Sequence, residues 1–376
     1  MRTNSNSSTP PFRQNLPFII DFKHKIIYSY YIWFLKPPYV IPFYEKTLWN
    51  VGKSSARRDS HFSLENKGEI MYHFIVNPHA RTGQGAIMWK EIKKLLDEKK
   101  VEYDVAFTKQ SNHAQDLVHA ICTADDSIKN IVVMGGDGTV NEVINGIPDY
   151  DKVILSYIPL GSGNDLARGL ELGTDPVKNL SRTLNPSTYR YVDHGMIKGE
   201  HAIPRTFAVS SSIGYDASVC YEVAHSKLKR ILNKLKLGKL TYILIAFKQV
   251  FTWNIVEMDI SIDHAPPKHY KNVLLVAAMI QKYEGGGVKM APTADPTDKQ
   301  LTLCIIHDIS RLAALVLLPT TFSGKHTKFP MVDIINCTHA EIKAQSPCRV
   351  HTDGEDYGME SHVVFSTKTK QIRMPY

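Results

Sequence analysis

Apolar positions form their first regular pattern at residue 71, where short apolar strands begin to alternate with segments of helical spacing. Strands are predicted at 72–77, 101–107, 131–134 and 153–158, and helices at 86–99, 113–122 and 140–145. Continuous apolar strands that alternate with helices are typical of a parallel sheet covered on both faces. The pattern therefore predicts an α/β domain over residues 71–188.

From residue 189 onward the candidate strands follow one another, interrupted by a helical insertion at 216–253. They lie at 191–197, 206–212, 256–262, 272–280, 301–307, 334–343 and 349–352. Such a run indicates a mostly antiparallel sheet or sandwich. We predict a second, β-rich domain over 189–360 and a C-terminal return segment over 361–376.

Residues 1–70 carry neither pattern. Just before Met71, the tripeptide 67–69 (Lys-Gly-Glu) permits the codons AAA-GGA-GAA, which contain a purine-rich AGGAG. We therefore expect that, in a bacterial source, Met71 is the true start and residues 1–70 are an untranslated leader or a disordered extension. The competing interpretation is a membrane-targeting extension, which its basic charge and its aromatic run at 26–35 would suit.

Charge and cysteine content narrow the class of protein. The chain of 376 residues has a formal charge of +8, and residues 1–70 contribute 10 Lys and Arg against 5 Asp and Glu. The rest is near neutral and lacks interleaved aromatic and basic residues, so we expect no nucleic-acid partner. The five cysteines form no C-x-x-C pair, which favours a reducing compartment. The run at 26–35 is too short to cross about 30 Å of hydrocarbon.

The strongest chemical signal is the segment 135–142, Gly-Gly-Asp-Gly-Thr-Val-Asn-Glu, which follows a buried strand and opens a helix. Glycines let a backbone approach phosphate oxygens, and a helix N-terminus offers N–H groups and a positive dipole end. Asp137 suits a magnesium shell, because hard cations take oxygen ligands. The alternative is a tight turn with an Asp cap.

Two further loops follow neighbouring strands of the predicted parallel sheet. One is 159–168, which contains Gly-Ser-Gly-Asn-Asp, and the other is 77–85. Loops at the carboxyl ends of adjacent parallel strands converge on one crevice. We therefore expect these loops to join segment 135–142 in a phosphate-binding site.

Two acidic loops lie downstream. Asp353 and Glu355 follow a strand and can accept a proton from a substrate hydroxyl, although a solvated Asp-Gly turn is the simpler interpretation of this segment alone. In the loop 284–298, three glycines precede Asp295 and Asp298, which can hold a hard cation. A loop rich in turn formers is the equal alternative there.

In this order, the segments 135–142, 161–168, 285–292, 324–328 and 353–355 resemble the soluble diacylglycerol kinase catalytic-domain family. That family includes bacterial diacylglycerol kinases, phosphatidylglycerol kinase-like proteins, and sphingosine and ceramide kinases. The resemblance implies an N-terminal α/β nucleotide-binding domain of the NAD kinase and diacylglycerol kinase type, with a second β-rich sandwich domain. It implies an ATP-dependent lipid kinase that phosphorylates diacylglycerol to phosphatidic acid in phospholipid metabolism.

The resemblance also assigns site residues. It implies nucleotide contacts at Asn77, Pro78, Thr82, Gly83, Gly85, Thr108, Gly135, Gly136, Asp137, Gly138, Thr139, Asn141, Glu142, Ser162 and Asp165. It implies a general base at Glu355 with Asp353 beside it, and Mg²⁺ bound through Asp298, Asp295, Gln300 and Asp193. Lys299 departs from the family pattern, which usually has glycine at that position.

The partners implied are ATP with Mg²⁺, a membrane lipid substrate and an anionic membrane surface, in a cytoplasmic protein that lies peripherally at the membrane. A homodimer is left open. The basic stretch 225–239 suits an interfacial helix, and a solvated basic face is the alternative. Three other functions stay open: a kinase of phosphatidylglycerol or another lipid, an NAD kinase, and a non-catalytic lipid-binding regulator.

Overall fold

The computed structural model describes residues 70–226 and 238–376, without the side chains of Thr82 and of residues 238–243. The expectations for residues 1–69 and for most of the basic stretch 225–239 lie outside this part. The helices are α1 (Ala80–Glu98), α2 (His113–Thr123), α3 (Asp137–Gly146), α4 (Asp165–Gly169), α5 (Pro176–Leu184), α6 (Tyr215–His225), α7 (Gly238–Thr252) and α8 (Arg311–Leu317), with 3₁₀ turns at Tyr150–Lys152, Leu318–Ser323 and Lys325–Lys328.

The strands are β1 (Tyr72–Val76), β2 (Tyr103–Phe107), β3 (Lys129–Gly135), β4 (Val153–Pro159), β5 (Tyr189–Val192), β6 (Gly195–Gly199), β7 (Arg205–Phe207), β8 (Ser210–Gly214), β9 (Val256–Ile262), β10 (Lys268–Val273), β11 (Leu275–Met279), β12 (Leu301–Ile306), β13 (Val332–Cys337), β14 (His339–Thr352), β15 (Glu355–Thr367) and β16 (Ile372–Pro375). Two sheets contain all of them.

The first sheet has the order β2-β1-β3-β4-β16-β5 and is parallel except at β5. Successive strand residues point to opposite faces, so alternate side chains enter two separate cores. Phe74 and Met134 pack with α1 and α5 on one face. Ile75 and Val133 pack with α2 and α3 on the other. Because both faces are buried, these strands are continuous apolar runs.

The second sheet is antiparallel, with the path β13-β12-β11-β8-β14-β15-β6-β7, and β9 joins it at β14 and carries β10. One face has its own core around Phe207 and Phe365. The other face is covered by α6, α7 and α8, which bury Trp253 against it. The predicted architecture, a doubly covered α/β layer followed by a β-rich part, is confirmed.

Several predicted elements differ in detail from the structure. The predicted strand 191–197 is two strands in different sheets, because the chain turns at the buried pair Asp193 and His194. Strand β5 therefore lies in the first sheet, and β15 runs through position 360 without a break. Helix α1 begins at Ala80, six residues before the predicted start. No helix in the described ranges is long and apolar enough to cross a bilayer.

Candidate active site

The glycine loops after β3 and β4 meet backbone to backbone. A Cβ placed on Gly161 would lie 2.8 Å from the Cα of Gly136 and 2.7 Å from the Oδ1 of Asn164. The Leu160 amide donates to the Gly135 carbonyl at 2.7 Å and closes the junction. Real Cβ contacts are longer than these distances, so only glycine at 161 lets the loops approach this closely. The predicted convergence of the two loops therefore occurs.

The loop after β1 joins them through Asn77. Its Nδ2 donates to the Thr139 Oγ1 at 3.1 Å, and its backbone amide donates to the Met134 carbonyl at 2.9 Å. A Cβ on Gly85 would lie 2.1 Å from the Asn77 carbonyl oxygen, so Gly85 lets α1 pack directly on this loop. Gly85 thus serves the packing of α1, whereas the sequence offered it as a nucleotide contact.

The other nucleotide candidates lie around this junction. Pro78 precedes α1, Thr82 and Gly83 lie in its first turn, and the Thr82 side chain is outside the described part. Thr108 is buried where β2 ends, with its amide on the Val76 carbonyl. Ser162 is exposed in the second glycine loop. Gly135, Gly136 and Gly138 line the start of α3.

Asp137 and Asp165 face each other across the second loop. A Cβ on Gly163 would lie 2.9 Å from the Asp137 Oδ2 and 3.5 Å from the Asp165 Oδ2. Burial, reinforced by the charge of Asp165, raises the pKa of Asp137 to about 6. Burial also raises the pKa of Asp165, although the Gly286 amide and Arg168 oppose that shift. The charge of Asp165 therefore disfavours the ionised form of Asp137.

This pair suits a divalent cation. Its ligands are hard carboxylate oxygens, and the Oδ1 of Asp137 is buried without a hydrogen-bond partner among the described residues. Asp165 keeps Arg168 as its ion-pair partner and accepts the Gly286 amide at 2.6 Å. A cation would stabilise the ionised form of both carboxylates and so oppose the effect of burial on their pKa values. The residues present therefore fit a magnesium ion carried in with a nucleotide.

Asp353 and Glu355 have different surroundings although both flank the turn between β14 and β15. The Asp353 carboxylate accepts four N–H donors: Asn141 Nδ2 at 2.7 Å and the amides of residues 208, 209 and 210 at 2.9–3.0 Å. These four bonds use the acceptor sites of a carboxylate. Asp353 therefore anchors the turn, and its place beside the general base stays a prediction.

Glu355 is exposed and approaches the phosphate loop. Its Oε1 lies 3.3 Å from the position that a Cβ on Gly138 would take, at the start of α3. The positive end of a helix dipole favours a carboxylate there, and the same end favours phosphate. Of the two acids, Glu355 is the one positioned to accept a proton from a hydroxyl beside a bound phosphate.

Asn141 and Glu142, offered by the sequence as nucleotide contacts, have structural partners. Asn141 is fully buried and donates to the Thr206 carbonyl as well as to Asp353. The Glu142 Oε2 accepts the Ala114 amide at 3.1 Å, in the first turn of α2. Asn141 therefore joins the two sheets and Glu142 caps a helix. Thr139 is buried against Gly135 and bonded to Asn77.

The predicted metal loop folds beside Asp193, whose pKa is raised by burial and by the charges of Asp298 and Asp295. The Asp193 oxygens accept the Lys299 amide at 2.7 Å and the Gln371 Nε2 at 2.8 Å. Asp295 bonds the Thr297 amide, and Asp298 bonds the Gln300 amide, within their own turns. Lys299 has a φ of 63°, the left-handed region that favours glycine. Magnesium at Asp193, Asp295, Asp298 and Gln300 stays a prediction.

The third glycine loop makes a contact that the sequence did not predict. Gly285, Gly286 and Gly287 have φ values of 57°, 82° and 120°, and the Gly286 amide reaches Asp165 from the second sheet. Three consecutive glycines were a signal of close backbone approach, but their partner lies 121 positions away. The site is therefore built from both sheets.

Comparison with family models places this geometry among known proteins. The model described as the diacylglycerol kinase catalytic domain matches residues 71–197, and the model of the YegS C-terminal NAD kinase beta sandwich-like domain matches residues 209–371. The two matched ranges correspond to the two groups of elements that meet at the site.

Individual relatives and solved structures are similar to this chain. YtlR of Bacillus subtilis is 29% identical over 291 residues, which are 76% of this chain and 94% of YtlR. A diacylglycerol kinase of Staphylococcus aureus strain RF122 is 30% identical over 61% of this chain and 68% of its own length. A crystal structure from Bacillus anthracis strain Sterne, 20% identical, superposes with a TM-score of 0.64 over 84% of this chain and 98% of that one. At that identity the superposition shows the same fold.

Proposed function

The chain belongs to the diacylglycerol kinase catalytic-domain family of lipid kinases, and from that premise we propose that it phosphorylates diacylglycerol with ATP to give phosphatidic acid for phospholipid synthesis. Membership confirms the resemblance and the enzyme class expected from the sequence. One observation carries the proposal: the loops at 135–139 and 161–163 touch beside the carboxylates of Asp137 and Asp165, with Glu355 next to Gly138. This arrangement supports a site that would hold a phosphate chain next to a proton acceptor.

The chemistry is an in-line phosphoryl transfer. A lipid hydroxyl oxygen forms a bond to the γ-phosphorus while the bond to the β,γ-bridging oxygen breaks, and ADP leaves. Amides at the start of α3 and the positive end of its dipole stabilise the charge that develops on the phosphoryl oxygens. Glu355 accepts the hydroxyl proton as the new bond forms.

Asp137 and Asp165 would hold the Mg²⁺ that accompanies ATP. When bound, the ion supplies neutralising charge to the phosphates. The orphaned Asp137 Oδ1 supports this assignment. The glycine-loop amides then orient the phosphates, and Arg168 keeps Asp165 in place through its ion pair.

Peripheral contact with an anionic membrane is part of the proposal and is supported by the outer helices. Helices α7 and α8 pack against each other, and their outer faces leave large apolar side chains exposed. These are Leu244, Phe247 and Phe251 on α7, Ile255 just after it, and Leu312 and Val316 on α8, which we call the apolar face. Apolar side chains grouped in this way are typical of a surface that inserts into a lipid interface.

The test is phosphorylation of a lipid panel by the full chain with labelled ATP in mixed micelles. We expect diacylglycerol to be labelled, and Glu355→Gln to lower turnover by about 10²-fold or more with little change in ATP affinity. The control is Asp356→Asn, the exposed neighbour that pairs with Arg349. Labelling of phosphatidylglycerol instead would correct the substrate, and near-normal turnover in the Glu355 variant would exclude it as the base.

A further inference from the structure

A second group of ionisable side chains lies behind the candidate active site. Asp216 on α6, Glu284 at the start of the third glycine loop and His351 on β14 bring one ligand atom each within 4.8 Å of one another. Glu284 and His351 are 7% and 3% exposed. Nothing in the family resemblance gives this cluster a role, so its charges need an explanation.

Asp216 is the ionised member of the cluster. Its Oδ2 accepts hydrogen bonds from the Ser212 hydroxyl and from the His351 Nε2 at 3.3 Å. The Gly354 amide donates to the His351 Nδ1 at 3.2 Å, so the proton of the neutral ring sits on Nε2. Burial alone would raise the pKa of Asp216, but the hydrogen bonds from His351 and Ser212 hold it below its usual range.

Glu284 lies near the ionised Asp216, and one of its carboxylate oxygens has no hydrogen-bond partner. Its Oε2 is buried without a partner among the described residues, and so is the Asp216 Oδ1. Two buried carboxylates this close cannot both ionise cheaply, because each disfavours the charge of the other. Burial, with the charge of Asp216, raises the pKa of Glu284 to about 7. A proton on Glu284 therefore accounts for both orphaned oxygens.

A bound cation is the less suitable explanation. A histidine that ligates a metal donates its other ring N–H to an acceptor. Here the Nδ1 faces the Gly354 amide, which is a donor, so Nε2 has no free lone pair to offer. Two other ionisable groups act on the pKa of Glu284: the charge of Asp165 raises it further, and a protonated His351 would lower it. The nearby Cys304 thiol is neutral, because burial raises its pKa.

The backbone of Glu284 links the cluster to the active site. Glu284 and Val288 exchange two amide–carbonyl hydrogen bonds of 2.9 Å and close a short hairpin, 284–288. The tip of that hairpin is Gly286, whose amide reaches the Asp165 carboxylate at 2.6 Å. The position of the buried Glu284 side chain therefore sets where that amide lies.

We propose that Glu284 is a positioning residue that works in its protonated form: as a neutral side chain it anchors the hairpin 284–288 against Asp216, which keeps the Gly286 amide on Asp165. Loss of the proton sets two like charges against each other, displaces the hairpin and removes a hydrogen bond from Asp165. This inference deepens the proposed function and rests on it for the role of Asp165.

The first test needs no substrate. A group whose pKa is raised on folding stabilises the folded state at low pH, and that contribution is lost as pH rises through the folded pKa. Glu284→Gln keeps a donor toward Asp216 and does not titrate. As pH rises from 4.5 to 7, we expect the parent to lose stability relative to Glu284→Gln. The ratio of the parent's unfolding equilibrium constant to that of the variant, measured with urea, should grow by up to about tenfold per pH unit. The exposed Glu91→Gln is the matched control.

The second test is the pH profile of lipid phosphorylation. Turnover of the parent should fall from pH 7 to 9, this fall should disappear in Glu284→Gln, and Glu284→Ala should be slow at every pH. A parallel pH dependence of unfolding in parent and Glu284→Gln would overturn the inference, as would one equivalent of divalent metal retained after EDTA treatment. If no lipid is phosphorylated, the proposed function fails, while the unfolding result still decides the state of Glu284.

Discussion

At the residue scale, two carboxylates that lie two positions apart, those of Asp353 and Glu355, have different roles. Asp353 and Gly354 both have positive φ, 48° and 83°, as a two-residue hairpin turn requires. The turn points Asp353 inward onto four N–H donors and leaves Glu355 outside, beside Gly138. A saturated carboxylate stabilises a fold, and an exposed one is free to take a proton.

Asp353→Asn should therefore lower stability by about 2 kcal/mol or more, because the new amide presents donors to buried donors. Chemical unfolding of the variant measures this loss, and Glu355→Gln, which removes no buried partner, should leave the unfolding midpoint in place. Equal stability of the two variants would contradict the anchoring role of Asp353.

Ionised Asp137 lowers the stability of the folded state. Its pKa is raised from 3.8 to about 6, so the folded state binds more protons than the unfolded state between those pH values, and stability falls as pH rises through them. Asp137→Asn should add on the order of 2 kcal/mol at pH 7.5, measured in EDTA without nucleotide, and almost nothing at pH 4. It should also abolish phosphoryl transfer. A difference in stability between Asp137→Asn and the parent that does not change with pH would exclude this explanation.

At the scale of elements, the site is a junction of three glycine loops. The loops after β3 and β4 are in backbone contact at Gly136 and Gly161, and the hairpin 284–288 reaches them from the second sheet. Parallel strands end at the same edge, so the first two loops meet because β3 and β4 are neighbours. The third meets them only because the two sheets pack together.

Gly161→Ala should separate these loops, since its Cβ would lie 2.8 Å from backbone that cannot yield. We expect ATP affinity to fall by about tenfold and stability by about 1–3 kcal/mol. Gly173→Ala is the control: it has a positive φ of 71° and no neighbour within 4 Å. It should cost about 1 kcal/mol of stability and leave ATP affinity unchanged. Equal ATP affinity in the two variants would argue against loop contact as the basis of the site.

At the scale of the whole described part, the last strand returns to the first sheet. Strand β16 inserts between β4 and β5 in the first sheet, so the long hairpin β14–β15 is tied to the nucleotide side at its far end. The apolar face on α7 and α8 lies on the outer side of the second sheet, beyond the core around Trp253. We therefore propose that ATP binds at the loops of the first sheet and that the membrane contacts the helices that cover the second.

The double variant Phe247→Gln and Phe251→Gln should weaken binding to vesicles that contain phosphatidylglycerol by about tenfold, as measured by sedimentation, because each phenyl ring loses its apolar burial in the interface. Ile203→Gln removes another exposed apolar side chain, 86% exposed and in the connection between β6 and β7, and should bind like the parent. If both variants bind vesicles equally well, the apolar face is not the membrane contact.

The sequence by itself determined what depends on local pattern. Apolar runs bounded by turn residues located the parallel strands, and their order placed the loops 135–142 and 159–168 at one crevice. The Asp-Gly pair located the turn that carries Glu355. These inferences succeed because periodicity and turn geometry act over a few residues.

Only the tertiary structure decided which polar side chains are free. Asp353 and Asn141 are 212 positions apart, and neither residue shows by its neighbours that it is bonded to the other. The return of β16 and the approach of Gly286 to Asp165 are equally nonlocal. The ionisation of Glu284 depends on Asp216 and on burial, and both come from packing. A carboxylate becomes an anchor, an acid or a base according to its partners, and folding chooses the partners.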